Sequence, residues 1–119
     1  MSPGPLCTLT LAVRDPQASR AFYQAAFGLK DAPQAAPGFV MLVAGTDLTL
    51  ILQPHAASGA APQPGGAELG FAVPDVAAAC ATLRALGAVV GEVQRMGWGE
   101  AADARDPDGH ALTLFRADG

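Results

Sequence analysis

The stretch "DPDGHALTLF", residues 106–115, sets His110 beside two carboxylates, Asp106 and Asp108. Imidazole and carboxylate groups are the common ligands of catalytic metals and the common partners in proton transfer. The other histidine, His55, lies in "QPHAASGAAPQPGGA", residues 53–67, where Pro, Gly and Ala leave no periodicity. That stretch reads as a linker or long loop, and His55 as a solvated side chain within it. Cys7 and Cys80 stand in no C-x-x-C pair and beside no histidine. They read as two reduced, buried thiols serving as small apolar groups. No arrangement of nucleophile, base and orienting group is visible.

Those residues need a scaffold, and bulk composition bounds it. The chain has 119 residues, 50% of them hydrophobic and 15% charged. It is long enough for a core and too apolar to be disordered. No apolar run reaches the length of a membrane span. The start, "MSPGPLCTLTLAV", lacks the basic and apolar regions of a signal peptide, which implies a cytoplasmic protein. The net charge is −4, with only seven Lys plus Arg and no basic run. This argues against nucleic acid or anionic membranes as partners.

The pattern along the chain is written twice. Leu9, Leu11 and Val13 alternate with Thr8, Thr10 and Ala12, as in a strand with one apolar face. Asp15-Pro16 reads as a helix start, with Ala18, Phe22, Ala25 and Leu29 as its apolar stripe and Gly28 as its stop. "LKDAPQAA" reads as a poor edge strand. "GFVMLVAG" and "TDLTLILQ" read as a hairpin turning near Gly45. Then Leu69, Phe71 and Val73 repeat the first strand, and Asp75 repeats Asp15. Val76, Cys80 and Leu83 form the second stripe, ended by Gly87. "AVVGEVQ", "GEAADAR" and "HALTLFR" follow as strands, with Asp106-Pro107-Asp108-Gly109 as a tight turn before the last. The expected organisation is one α+β domain of two tandem βαβββ modules. Module one spans residues 5–53, the linker 54–67 and module two 68–117.

This repeat carries "V-x-D-x-x-x-S-x-x-F-Y" at Val13, Asp15, Ser19, Phe22 and Tyr23, and "WGEAADARDPDGH" at residues 98–110. Both resemble the vicinal oxygen chelate superfamily, which holds glyoxalase I, extradiol dioxygenases, and fosfomycin- and bleomycin-resistance proteins. The resemblance covers nearly the whole chain and is closest in kind to the bleomycin-resistance-like, metal-free branch. It implies a curved mixed sheet with helices on the convex side and a ligand or metal in the concave cleft. The apolar positions Leu9, Leu11, Val13, Leu48, Leu50, Leu69, Phe71, Val73, Leu112 and Leu114 then face the helices. Thr8, Thr10, Thr49, Glu68 and Thr113 face the other way.

The resemblance also implies where a metal would be held. The four matching positions here are Thr8, Thr49, Glu68 and Thr113, a set of three neutral hydroxyls and one carboxylate. A catalytic metal wants about three anionic or imidazole ligands and an open position. His110 shares parity with Leu112, not Thr113, so it points away from that set and belongs to the turn. No metal and no cofactor is expected.

A cleft without a metal is a binding pocket. Trp98 matches a tryptophan near the ligand groove of bleomycin-resistance-like relatives, and an indole suits stacking on an aromatic ligand, although it can equally cap the core. Ile51 and Phe115 share parity with Thr49 and Thr113 and so should line the cleft. Phe39 and Met41 either line it or belong to the core. Glu68 can bind a cation, act as a general base, or simply meet solvent at a strand start. Arg95 and Arg105 can serve as counter-charges but read better as solvated edge residues. The expected protein binds and sequesters a hydrophobic or aromatic natural product, as a homodimer, the latter on the resemblance alone. The alternatives are a metal-dependent lyase, isomerase or dioxygenase of the glyoxalase type, in which His110, His55 or Asp47 would join Glu68, and a metal-free enzyme using Glu68 as base.

Overall fold

Local signals start both helices where the sequence places them. A computed structural model describes residues 4, 6–33, 38–54 and 67–118. His55, and with it residues 55–66 of the expected linker, lies outside the described residues. The chain divides into two compact units, Met1–Pro62 and Gln63–Gly119. The first is a βαβββ module, and the second follows the same plan with one further short strand. Among the described residues no helix is long and apolar enough to cross a membrane.

The first unit runs β1 (Thr8–Val13), α1 (Pro16–Phe27), β2 (Lys30–Asp31), β3 (Val40–Gly45) and β4 (Leu48–Pro54). The Asp15 carboxylate accepts the backbone N–H groups of Gln17 and Ala18, which have no partner within a first helical turn. Gly28 ends α1 in the left-handed region, φ 67°. The buried stripe of α1 is Ser19, Phe22 and Tyr23, not the Ala18-Phe22-Ala25 line that the spacing suggests. Methyl groups bury too little area to fix a helix's rotation, so the two aromatic rings decide it. Arg20 and Asp31 form a forked ion pair that ties the helix to edge strand β2.

The sheet order is β1-β4-β3-β2, with β1 parallel to β4 and the other pairs antiparallel. Leu11, Val13, Val40, Leu42, Leu50 and Leu52 form the buried face. Leu9 and Leu48, expected with them, are only partly covered because they lie at strand ends. The β3–β4 hairpin turns at Thr46-Asp47. Asp47 takes φ 59°, a conformation that aspartate tolerates better than most residues.

The second unit runs β5 (Glu68–Ala72), α2 (Val76–Ala85), β6 (Val89–Val90), β7 (Gln94–Met96), β8 (Gly99–Arg105) and β9 (Ala111–Ala117). Asp75 caps α2 through the Ala78 N–H at 3.0 Å, and Val76, Cys80 and Leu83 are its buried stripe, as the spacing predicts. The sheet order is β5-β9-β8-β6, with β7 also on β8. Leu112 and Leu114 are fully buried and Ala102 and Ala104 nearly so, whereas Leu69, Phe71 and Val73 are only partly covered. One expectation needs correction. "AVVGEVQ" is not one strand but two, β6 and β7, both antiparallel to β8. Gly91 still follows the β6–β8 register, its N–H donating to the Asp103 carbonyl at 2.8 Å, and the register then slips by one residue before Gln94, so a bulge separates the two strands.

The cysteines differ from expectation as well. Cys80 is buried, and burial pushes its thiol pKa up, but Cys7 is exposed just before β1. It shares the parity of Leu9, Leu11 and Val13 but lies ahead of the strand, at the exposed end of that face. One thiol per chain is therefore expected to react with an aromatic disulfide reagent in native buffer, and the second only after unfolding. Two native thiols, or none, would contradict this assignment.

The tight turn before β9 is built around Asp106, which is buried although charged. Its Oδ1 accepts the backbone N–H groups of Asp108 and His110, both at 2.9 Å. Its own N–H donates to the His110 carbonyl, and the Gly109 N–H donates to the Asp106 carbonyl. Oδ1 thus holds two backbone donors, and the His110 backbone is fixed as part of the turn. Asp106→Ala strands two donors and should cost about 2 kcal/mol in urea unfolding. A loss below about 0.5 kcal/mol would show that the turn holds without it.

Candidate functional site

Alternation gives each sheet a second face that its helix does not cover. In the second unit the rows of that face follow from register. Gly70 lies beside Thr113 and Ala72 beside Phe115 across β5 and β9. Thr113 lies opposite Asp103 and Phe115 opposite Ala101 across β9 and β8. Gln94 and Met96 add the β7 edge, opposite Ala101 and Gly99. Their neighbours of opposite parity, Leu112, Leu114, Ala102 and Ala104, are the buried set. Small residues floor the face, so the few large side chains stand out from it.

Two contacts bring expected site residues together here. The Thr113 hydroxyl donates a hydrogen bond to Glu68 Oε1. Two residues further along β9, Phe115 meets Trp98 edge to face, with ring centroids 6.3 Å apart and planes at 73°. Trp98 stays 50% exposed, which is high for the largest apolar side chain in the protein. Phe115 lies over Gly70, where a Cβ would meet its ring at 3.5 Å. One end of the face is aromatic and the other carries Glu68. A pocket of about 290 Å³ borders that second end, lined by Glu68, Val89, Asp103, Arg105 and Ala111 among others.

Asp103 was not picked out from the sequence. Its signal was available: Ala102 and Ala104 alternate with it, and their burial leaves Asp103 outward on the face of Thr113. Arg105 donates from its guanidinium to the Gly109 carbonyl at 2.9 Å, and Arg95 is forked onto Asp118. Both arginines are exposed, as the sequence suggested, and each holds a partner there.

The first unit's own uncovered face carries the other candidates. Thr8 lies beside Thr49 and Thr10 beside Ile51 across β1 and β4, and Met41 lies opposite Ile51 across β3 and β4. Val40 and Leu42 take the core positions, so Met41 belongs to the uncovered face. Phe39, just before β3, is 37% exposed and is not part of the core.

A family model, the Glyoxalase/Bleomycin resistance protein/Dioxygenase superfamily, matches residues 6–114. The chain belongs to that superfamily. A comparison with curated proteins gives no match. Among solved structures, this superfamily member is similar to a glyoxalase/bleomycin resistance protein/dioxygenase family enzyme from Burkholderia phytofirmans PsJN. The TM-score is 0.84 at 20% identity, over 97% of this chain and 100% of that one. TnmS3, an antibiotic binding protein from Streptomyces sp. CB03234, is similar at 25% identity and TM-score 0.74, over 99% of both chains. A lactoylglutathione lyase from Agrobacterium tumefaciens is similar at 22% identity and TM-score 0.70, over 98% of this chain and 96% of that one.

The superfamily includes metal-using enzymes, so the donor set can be tested for fit. Thr8, Thr49 and Thr113 offer neutral hydroxyls, and Glu68 already accepts the Thr113 hydroxyl. Among the described residues no three His, Cys, Asp or Glu side chains gather as a metal would need. These residues do not fit a catalytic divalent metal, which needs several anionic or imidazole donors.

Proposed function

We propose that this superfamily member is a metal-independent binding protein that sequesters a hydrophobic or aromatic natural product. The observation that carries the reading is the half-exposed Trp98 packed edge-on against Phe115, on a face floored by small residues. Exposing an indole costs stability unless something else covers it, and a flat ligand ring covers it well. Thr113 and Glu68 then supply hydrogen bonds, and a carboxylate, at the other end of the same face. In the first unit, Thr8, Thr49, Ile51 and Phe39 are the ligand contacts that the reading assigns to its face. The antibiotic-binding relative TnmS3 supports the class of ligand. The reading includes a cytoplasmic homodimer that takes a small molecule as its partner and neither nucleic acid nor membrane.

The alternative, a metal-dependent lyase, isomerase or dioxygenase, draws no support from the donors at Thr8, Thr49, Glu68 and Thr113. The deciding experiment titrates polycyclic quinones and heteroaromatic compounds against the fluorescence of the single tryptophan, with metal content measured on the same tag-free preparation. Saturable quenching with metal well below about one equivalent per chain supports a binder. Stoichiometric metal, with turnover lost on chelation, would replace it with the enzyme.

A further inference from the structure

Trp98 stands in a poor place for a fixed binding surface. It is the second residue of the two-residue turn, Gly97-Trp98, that joins β7 to β8. β7 is only three residues long, and among the described residues its ladder partner is β8 alone. Such a hairpin tip is among the first parts of a fold to open. The residues around it supply a tie to the longer strand β9. The Trp98 carbonyl accepts the backbone N–H of Asp118, just past the end of β9, at 2.7 Å. The Asp118 carboxylate is gripped by both guanidinium nitrogens of Arg95, one of them at 3.1 Å. Arg95 lies on β7, three residues before Trp98, so the loop closes: β7 holds residue 118, and residue 118 holds the turn.

We propose that Arg95 and Asp118 are positioning residues for Trp98, fixing the turn from the side opposite the indole. Register puts Arg95 there, and its ion pair brings Asp118 to it. Arg95 lies opposite Glu100, and Glu100 opposite Arg116, all of opposite parity to the Gln94, Ala101 and Phe115 row. Glu100 sits 4.0 Å from Arg95 and 3.6 Å from Arg116, so it is a bridge between the two cations. A forked guanidinium–carboxylate pair fixes direction as well as distance, which a single contact to a lysine would not. The indole keeps its contact with Phe115 while its backbone is anchored. This inference rests on the reading of Trp98 as a ligand contact, because only a binding surface needs a hairpin tip held still.

The test uses full-length, ligand-free protein and acrylamide as quencher, since all tryptophan emission comes from Trp98. Arg95→Gln and Asp118→Asn each remove the ion pair and keep the Asp118 backbone N–H. Arg116→Gln is the control, removing an exposed ion pair of the same network that does not touch Asp118. In the first two variants the quenching constant should rise, with the open population of the turn growing by about two- to five-fold, the range an exposed ion pair can govern. The control and all melting midpoints should stay at the parent value. An unchanged quenching constant, an equal rise in the control, or a rise that comes with a lowered midpoint would each overturn the assignment. Every readout is taken without ligand. A failed clamp therefore leaves the ligand titration standing, and a failed titration leaves the clamp's result readable.

Discussion

Gly99→Ala is expected to lower stability by about 3 kcal/mol, with a fall of about 10–15 °C in the melting midpoint. Gly99 starts β8 directly after Trp98, and its backbone lies so close to β9 that no side chain has room. An added Cβ would stand 2.1 Å from the Arg116 carbonyl oxygen and 2.9 Å from the Ala117 Cα. Both are backbone atoms in a paired strand, so neither can swing aside as a flexible side chain would. The glycine's φ of 156° adds a second obstacle to any L side chain. The sheet must either separate at the Gly99–Ala117 pair or rotate the turn that carries Trp98. Urea unfolding measures the loss, and the Trp98 emission maximum should shift in the folded variant. A stability loss under about 0.5 kcal/mol would mean that the two strands can part at no real cost.

Trp98→Ala is expected to weaken binding of the aromatic ligand by about 30-fold or more, the effect of losing a central aromatic anchor. The same change should leave stability near the parent value, because half of the indole is already exposed and its ring contact with Phe115 is edge to face. Calorimetric titration reads the affinity, since the variant has no tryptophan left to report it. Trp98→Phe should recover part of the affinity, because a smaller ring still stacks. An Ala variant that binds like the parent would move the ligand off this end of the face. An Ala variant that melts far lower would make Trp98 a core residue.

What the sequence disclosed follows the range of each interaction. Asp15 and Asp75 were readable as caps because their hydrogen bonds reach only two or three residues ahead. The faces of β4 and β9 were readable because alternation is local, so Thr49 and Ile51, like Thr113 and Phe115, share the sides expected of them. The rotation of α1 was not readable, since alanines at 18 and 25 look as apolar as they are small, and Ser19 is buried in their place. Met41 and Phe39 needed the register of β3 on β4, a pairing that no single strand specifies. The bulge between β6 and β7 depends on their register with β8, and the grip on Trp98 depends on Arg95 meeting Asp118. Both join residues distant in sequence whose types are ordinary. Cys7 was misjudged because its burial depended on what lies over a strand end.

The parallel pairs β1–β4 and β5–β9 set the order in which the protein can be made. Each joins the first strand of its unit to the last, so neither sheet closes until its whole module exists. Emerging from the ribosome, the first unit can complete itself once Pro54 is out, while the second is still being synthesised. The second must wait for β9, which pairs with both β5 and β8 and therefore supplies the centre of its sheet. Until then β5 and α2 have no partner of lasting order, and their apolar faces stay wet. The step that completes each sheet is thus the meeting of strands from the two ends of a module, the slow and non-local kind of pairing.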